Sequence, residues 1–460
     1  MTGKELLFKA LRGETTPRPA WVPFVGVHGG SLIDKAAGEY LQSSDLLVQG
    51  QSEAVRRYQA DGIPVAFDLQ LEAEVLGCDL HWADEGPPSV SSHPLEMGRT
   101  LDELPAFDTA RGRFPVILDA ARRLHETVGD DTALYGLICG PFTLAMHLWG
   151  NSLFLEMFDN EEGVKNVLQT CADIGKQVAD AYIENGCDVI AVVDPMTSQI
   201  SPEHFRQFVS TCVNDIFDHV RARDAFSSLF VCGDATRNLH AMCETRCDNI
   251  SIDENIALDQ FVELARDNGK SVGGNIRLTV ALLMGSDDDC RRDALRCMDA
   301  CGTTGFVLAP GCDLPYSVPP ENLEAVAEVV HDEYKREVAR TLKKSEPQDT
   351  FDDIPVPDYE RESSVIIDVI TLDSSTCAPC QYMVDAVEKA VAECGENVIH
   401  REHKIATRDG LAYMTKLGVE HVPTICIDGK TAFSSIIPDR DTLLKAIREA
   451  EKAHDKTATL

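Results

Sequence analysis

Two cysteines three residues apart, in Cys377-Ala378-Pro379-Cys380, are the side chains of this sequence best arranged to do chemistry. They follow an apolar run at 365–372 and open an amphipathic stretch that reaches about residue 394. A cysteine at a helix start has its thiolate stabilised by the helix dipole, so its pKa falls. A second cysteine one turn on can then resolve a mixed disulfide, which makes thiol–disulfide exchange the expected chemistry. Pro379 suits the first turn of such a helix. A metal knuckle is the competing reading. It needs a second Cys/His pair, and His400 and His403 have the spacing but fall on an expected strand. A structural remnant without chemistry is the third reading. Cys394 and Cys426 read as core residues.

Three carboxylates, Asp68, Glu72 and Asp194, are the acid–base candidates of the longer N-terminal part. Asp194 ends the apolar run 189–193 just before Pro195. Strand ends of that kind carry function in barrels, and a structural cap is the alternative reading of the same residue. Asp253 and Asn275 end later runs, and their roles stay open.

The elements that must position these groups are legible as a rhythm. Residues 21–27, 134–138, 189–193, 229–231, 250–252, 271–273 and 305–308 are short apolar runs ending in Gly, Pro, Asp or Cys. Strands buried on both faces have that composition, which points to a parallel sheet. Helical stretches such as 161–185 and 202–221 lie between them, the second with Ser201 as an N-cap. Strand–helix alternation over some 300 residues predicts the α/β class and a (β/α)8 TIM barrel over 1–335. No glycine-rich fingerprint follows the first strand, so a dinucleotide-binding sheet is disfavoured. Residues 336–363 are charged, carry proline and lack periodicity, as a linker does. Residues 364–460 then read strand, CxxC helix, strand, helix, strand, helix: a small α/β domain.

Composition narrows the partners. The 460 residues include 42 basic and 76 acidic side chains, a formal net charge of −34. Such a field repels nucleic acid and acidic membrane surfaces. No apolar run approaches the ~20 residues of a membrane span, and Met1 to Glu5 do not begin a secretory leader. A cytoplasmic location is the expectation. Sixteen cysteines in such a chain read as thiols, metal ligands or redox centres rather than a disulfide framework.

The C-terminal region resembles the thioredoxin family. That family places a cis-proline before a strand, facing its CxxC, so the matching positions are Cys377, Cys380 and Pro423 in Val422-Pro423-Thr424. The first 335 residues resemble the uroporphyrinogen decarboxylase superfamily, and more closely its methylcobalamin:coenzyme M methyltransferase branch. The resemblance rests on collinear stretches. They are Phe67-Asp68, Glu72 to Cys78, Gly140-Pro141-Phe142-Thr143-Leu144-Ala145, Asp194-Pro195, Cys232-Gly233, Ser251-Ile252-Asp253-Glu254, Gly274-Asn275-Ile276 and Pro310-Gly311-Cys312-Asp313-Leu314-Pro315.

The resemblance implies a zinc site made of a His-x-Cys and a later cysteine. The metal would turn an acceptor thiol into a thiolate that attacks a methyl-cobalt corrinoid. Cys232 and Cys312 match the two cysteines, but Phe230 stands at the histidine position. His28, Asp234 or His240 would have to replace it. Without metal, the two cysteines are either buried structural thiols or a redox pair that the C-terminal domain services. The corrinoid would be carried by a separate protein, because the chain has no Asp-x-His-x-x-Gly motif. The acceptor would be a thiol or a reduced pterin. A tetrapyrrole- or thiol-binding redox protein and a decarboxylase-like lyase acting on a smaller substrate stand as alternatives. The decarboxylase branch reads its octa-anionic substrate with arginines, and residues 21–30 contain none. Trp21, Trp82 and Trp149 read as packing residues.

Overall fold

The structure, a computed structural model, describes residues 1–341, 351–359, 361–375, 377–395 and 397–457. The chain divides into two units between residues 345 and 346.

The first unit is an eight-stranded parallel barrel. Its strands are β1 (Ala20–Trp21), β2 (Gly62–Pro64), β3 (Ala133–Cys139), β4 (Val189–Val193), β5 (Phe226–Val231), β6 (Asn249–Ile252), β7 (Ser271–Ile276) and β8 (Phe306–Pro310). Pairing runs β1-β8-β7-β6-β5-β4-β3-β2. The β1/β2 seam is bridged by Asp61, whose N–H donates to the Trp21 carbonyl at 2.9 Å and whose Oδ2 accepts the Trp21 N–H at 2.8 Å. Arg18 holds both oxygens of that buried carboxylate, at 2.5 and 2.8 Å.

Alternate residues point inward, as strand geometry requires. Val22 and Phe24 beyond β1, Tyr135 and Leu137, Ala191 and Val193, Phe230 and Cys232, and Val307 and Ala309 form one interior cluster. Aromatic rings fill its upper layer: Phe24 lies 4.8 Å from Phe230 and Phe67 lies 5.9 Å from it. The barrel axis is therefore packed rather than open. Outer helices cover the strands. The longest, Glu161–Glu184, buries Val164, Val167, Leu168, Cys171 and Ala172 along one stripe. Ser201 caps the next helix by accepting the His204 N–H at 3.2 Å. Among the described residues no helix is long and apolar enough to cross a membrane.

The second unit has strands β9 (Val365–Thr371), β10 (Val398–Lys404), β11 (Thr424–Ile427) and β12 (Lys430–Ser434), with helices Ala378–Val391, Arg408–Lys416 and Arg440–Thr457. The sheet order is β10-β9-β11-β12, with β9/β10 parallel and β11 antiparallel to its neighbours.

The stretch read as a linker is not uniform. Helix Glu333–Ala339 occupies its start, and 342–350 lie outside the described residues. Residues 351–359 lie on the second unit. Arg408 clasps both oxygens of Asp353 at 2.6 and 2.8 Å and sits over the Phe351 ring. Tyr359 donates its hydroxyl to the fully buried Asp368 at 2.7 Å. The other Asp368 oxygen lies 2.7 Å from Nε2 of His403. Tyr359→Phe removes a bond from a buried carboxylate, so it is expected to cost about 1–3 kcal/mol. The readout is the urea midpoint of the second unit, and an unchanged midpoint would show that this hydroxyl contributes nothing.

Candidate functional site

Loops leaving the strand ends build the barrel mouth. Cys232 follows β5 on its inward face, and Cys312 lies two residues beyond β8. The two are disulfide-bonded, with Cα atoms 5.9 Å apart. Gly233 turns the chain just past Cys232 with φ +87°, a conformation that suits glycine alone. Its N–H donates to Asp253 Oδ2 at 2.8 Å.

The expected replacements for the histidine are engaged elsewhere. Nε2 of His28 lies 2.7 Å from the Tyr58 hydroxyl and Nδ1 lies 3.3 Å from the Tyr316 carbonyl. Burial lowers the His28 pKa to about 4, so the ring is neutral at pH 7. Asp234 accepts the Thr236 N–H at 3.0 Å and so caps its own turn. His240 is exposed. Phe230 is fully buried in the aromatic layer. Among the described residues no three His, Cys, Asp or Glu side chains converge as a metal-binding group. The residues present therefore do not fit a zinc centre, which needs at least three protein donors.

The three carboxylates lie in separate settings. Asp68 accepts the Gln70 N–H at 2.9 Å and is ion-paired with Arg113. The same guanidinium holds Glu74 at 2.9 Å and lies 4.8 Å from the Trp82 ring centre. Glu72 is buried; Oε1 accepts the Cys139 N–H at 3.0 Å, and Oε2 has no hydrogen-bond partner. Burial pushes its pKa up to about 7, so it can hold or release a proton near neutrality. Asp194 is fully buried. Its oxygens accept the Phe142 N–H at 3.2 Å, the Thr143 N–H at 2.8 Å and the Thr143 hydroxyl at 2.6 Å. It thus caps helix Pro141–Trp149 from the end of the neighbouring strand, and Gly140 leaves room for it, since a Cβ there would lie 2.3 Å from the aspartate. Asn275 donates to the Asp253 and Ile256 carbonyls at 2.9 and 2.8 Å, tying strand ends together.

Sequence reasoning missed Arg113 and Glu254. Nothing in the spacing links Arg113 to a carboxylate 45 positions earlier. Glu254 adjoins the noticed Asp253, and burial raises its pKa to about 8.

In the second unit Cys377 is the N-cap of helix Ala378–Val391, and its sulfur accepts the Cys380 N–H at 3.3 Å. The two cysteines are paired, with Cα atoms 5.2 Å apart. Cys377 is partly exposed and Cys380 is fully buried. Pro423, after a cis peptide bond, immediately precedes β11. His403 stacks on Tyr413 at 3.7 Å and His400 faces Glu388 at 3.8 Å, so neither joins the CxxC as a ligand.

Comparison with known proteins gives the chain its context. The thioredoxin domain family matches residues 366–448. Methylcobamide:CoM methyltransferase MtbA of Methanosarcina acetivorans is 28% identical over 336 residues, covering 71% of this chain and 97% of that protein. MtbA of Methanosarcina mazei is 29% identical over 339 residues, with 71% and 97% covered. A uroporphyrinogen decarboxylase of Nostoc punctiforme is 24% identical over 344 residues, with 69% and 93% covered. The solved structure of a methyltransferase from Methanosarcina mazei shares the fold, with a TM-score of 0.66 at 24% identity, over 74% of this chain and all of that one. The uroporphyrinogen decarboxylase (URO-D) family matches residues 2–333, well over half of the sequence, and the chain belongs to that family, with a thioredoxin domain at its C-terminal end.

Proposed function

We infer that the barrel transfers a methyl group from a methyl-corrinoid, carried by a separate protein, to a small thiol or a reduced pterin. The observation that carries this reading is the correspondence with two methylcobamide:CoM methyltransferases over 97% of their length. The mouth is consistent with it. Arg113, the guanidinium set among the predicted carboxylates, is already neutralised by Asp68 and Glu74, which is a poor start for reading a polycarboxylate. Glu72, with its pKa near 7 and an unpartnered oxygen, is suited to hold the proton that an acceptor thiol gives up. Asp68 would orient the mouth through Arg113, and Asp194 would hold the loop after β3. No step is assigned to zinc, because Phe230, His28 and Asp234 do not complete a donor set with Cys232 and Cys312. The C-terminal domain would act as a dithiol reductant through Cys377 and Cys380, with Pro423 beside them. A cytoplasmic setting suits both activities.

The test is direct. The reduced chain, methylcobalamin and 2-mercaptoethanesulfonate are mixed without oxygen, and the S-methyl product is measured by mass spectrometry, with tetrahydropterin in a parallel reaction. Enzyme-dependent methyl product with either acceptor is the expected result. Its absence with both would favour the second reading, a thiol-binding redox protein, to which Phe230 and the paired mouth cysteines already lend support.

A further inference from the structure

Four cysteines of this chain are paired and all the others are free, Cys394 half-buried and the rest buried. A chain that keeps so many thiols is not stapled together by disulfides, so each pair it does form calls for its own explanation. The Cys377–Cys380 pair sits at the helix start expected of a dithiol reductant. The Cys232–Cys312 pair joins the ends of β5 and β8, which are not neighbours in the sheet, so the bond crosses the barrel mouth. Among the described residues no third donor joins these two sulfurs as a metal site. Phe230 fills that position and packs on Phe24 and Phe67. Two thiols within bonding reach and without a third donor have one ready chemistry, the two-electron exchange between dithiol and disulfide. Access is unequal: Cys232 is 9% exposed, whereas Cys312 lies in a half-buried position. The C-terminal pair has the same asymmetry, with Cys377 reachable and Cys380 buried.

We propose that Cys232 and Cys312 are a second redox-active pair, closed as a disulfide across the barrel mouth and reopened by exchange with the Cys377/Cys380 dithiol. The proposal rests on the dithiol reading of the C-terminal domain and does not depend on methyl transfer. The Cys377 thiolate attacks Cys312 Sγ, the more accessible sulfur. The Cys232–Cys312 bond breaks, Cys232 leaves with the electron pair and takes a proton, and a Cys377–Cys312 mixed disulfide forms. The deprotonated Cys380 then attacks Cys377 Sγ and Cys312 leaves as a thiol. The barrel pair gains two electrons and two protons; the C-terminal pair loses them and ends as a disulfide. A low-molecular-weight disulfide closes the barrel pair again, and an external dithiol restores the C-terminal one.

The experiment uses the full chain, reduced without oxygen and then equilibrated in graded mixtures of reduced and oxidised dithiothreitol. Thiols are alkylated and peptides are identified by mass spectrometry. The Cys232–Cys312 linked peptide should appear as the buffer becomes oxidising. The Cys380→Ser chain should accumulate a Cys377–Cys312 linked peptide that is lost in Cys380→Ser/Cys312→Ser. Three results would overturn the proposal. Cys377 and Cys380 could stay reduced at ratios where Cys232–Cys312 is already fully oxidised, so that the exchange would run in the opposite direction. The mixed disulfide could be absent from Cys380→Ser. The reduced pair could retain about one zinc per chain, a sign of an assembled metal site. Failure of Cys377 and Cys380 to oxidise at all would instead remove the dithiol reading beneath it, and the exchange with it.

Discussion

Phe230→His is expected to turn the reduced chain into a zinc-binding protein. Strand alternation places residues 230 and 232 on the same inward face of β5, and Phe230 is fully buried there. The resemblance to the methyltransferase branch puts a histidine at this position. An imidazole two residues before Cys232, together with Cys312, would supply three donors and leave a fourth position open. Protein purified with reductant and without oxygen should then hold about one zinc per chain, against a small fraction of that in wild type. Zinc should be lost again in Phe230→His/Cys232→Ser. It should also fall away below about pH 6, because the histidine must be neutral to bind. The substitution places a polar ring in an aromatic layer and removes contacts to Phe24 and Phe67, so a stability cost of roughly 1–3 kcal/mol is expected alongside the gain. A folded Phe230→His chain with no more zinc than wild type would show that the two sulfurs are not placed to ligate. Oxidising the cysteine pair should also abolish binding, which makes zinc content a reporter of the mouth disulfide.

What was legible in the sequence followed the range of the interactions. The run 189–193 coincides with β4 because a strand buried on both faces is apolar throughout. The CxxC helix start was equally plain, since its capping geometry spans only four residues. The first strand was expected over 21–27 but ends at Trp21. Pro23 has no N–H for the ladder, and Val25 N–H bonds back to the Pro23 carbonyl at 2.8 Å. Strand β2 was missed altogether, because three residues with a glycine and a proline carry no period to detect. At the site, Cys232 and Cys312 could be placed at strand ends, but their pairing spans 80 positions and follows only from barrel closure. His28 reads as a metal ligand on its expected strand-end position alone. Its actual partners, Tyr58 and the Tyr316 carbonyl, lie 30 and 288 positions away. Asp68 reads from the sequence as a mouth carboxylate, but its setting is defined by Arg113, which no local pattern announces.

Asp194 supplies the second large effect, and its pH dependence separates a structural cap from a surface carboxylate. Asp194→Ala removes the acceptor for two backbone N–H groups and the Thr143 hydroxyl, all in a fully buried setting. Each donor left unmet costs on the order of 1 kcal/mol or more, so a total loss of about 3 kcal/mol is expected. For a unit of this size that corresponds to a melting temperature lower by roughly 4 °C. The sign of the pH effect follows from burial, which raises the Asp194 pKa from 3.8 to about 6 in the folded chain. Between those values the folded state binds the extra proton, so the contribution of this group is full below the unfolded pKa and is lost as pH rises through about 6. Asp194→Asn has no proton to bind there. The stability gap between wild type and Asp194→Asn should therefore be widest near pH 4 and shrink by about 2–3 kcal/mol by pH 7. Glu72 shifts in the same direction, but it is present in both proteins and cancels in the difference. Urea midpoints of the two proteins measured across that range check the expectation. A gap that stays constant with pH would mean that Asp194 keeps its ordinary carboxylate pKa in the folded chain.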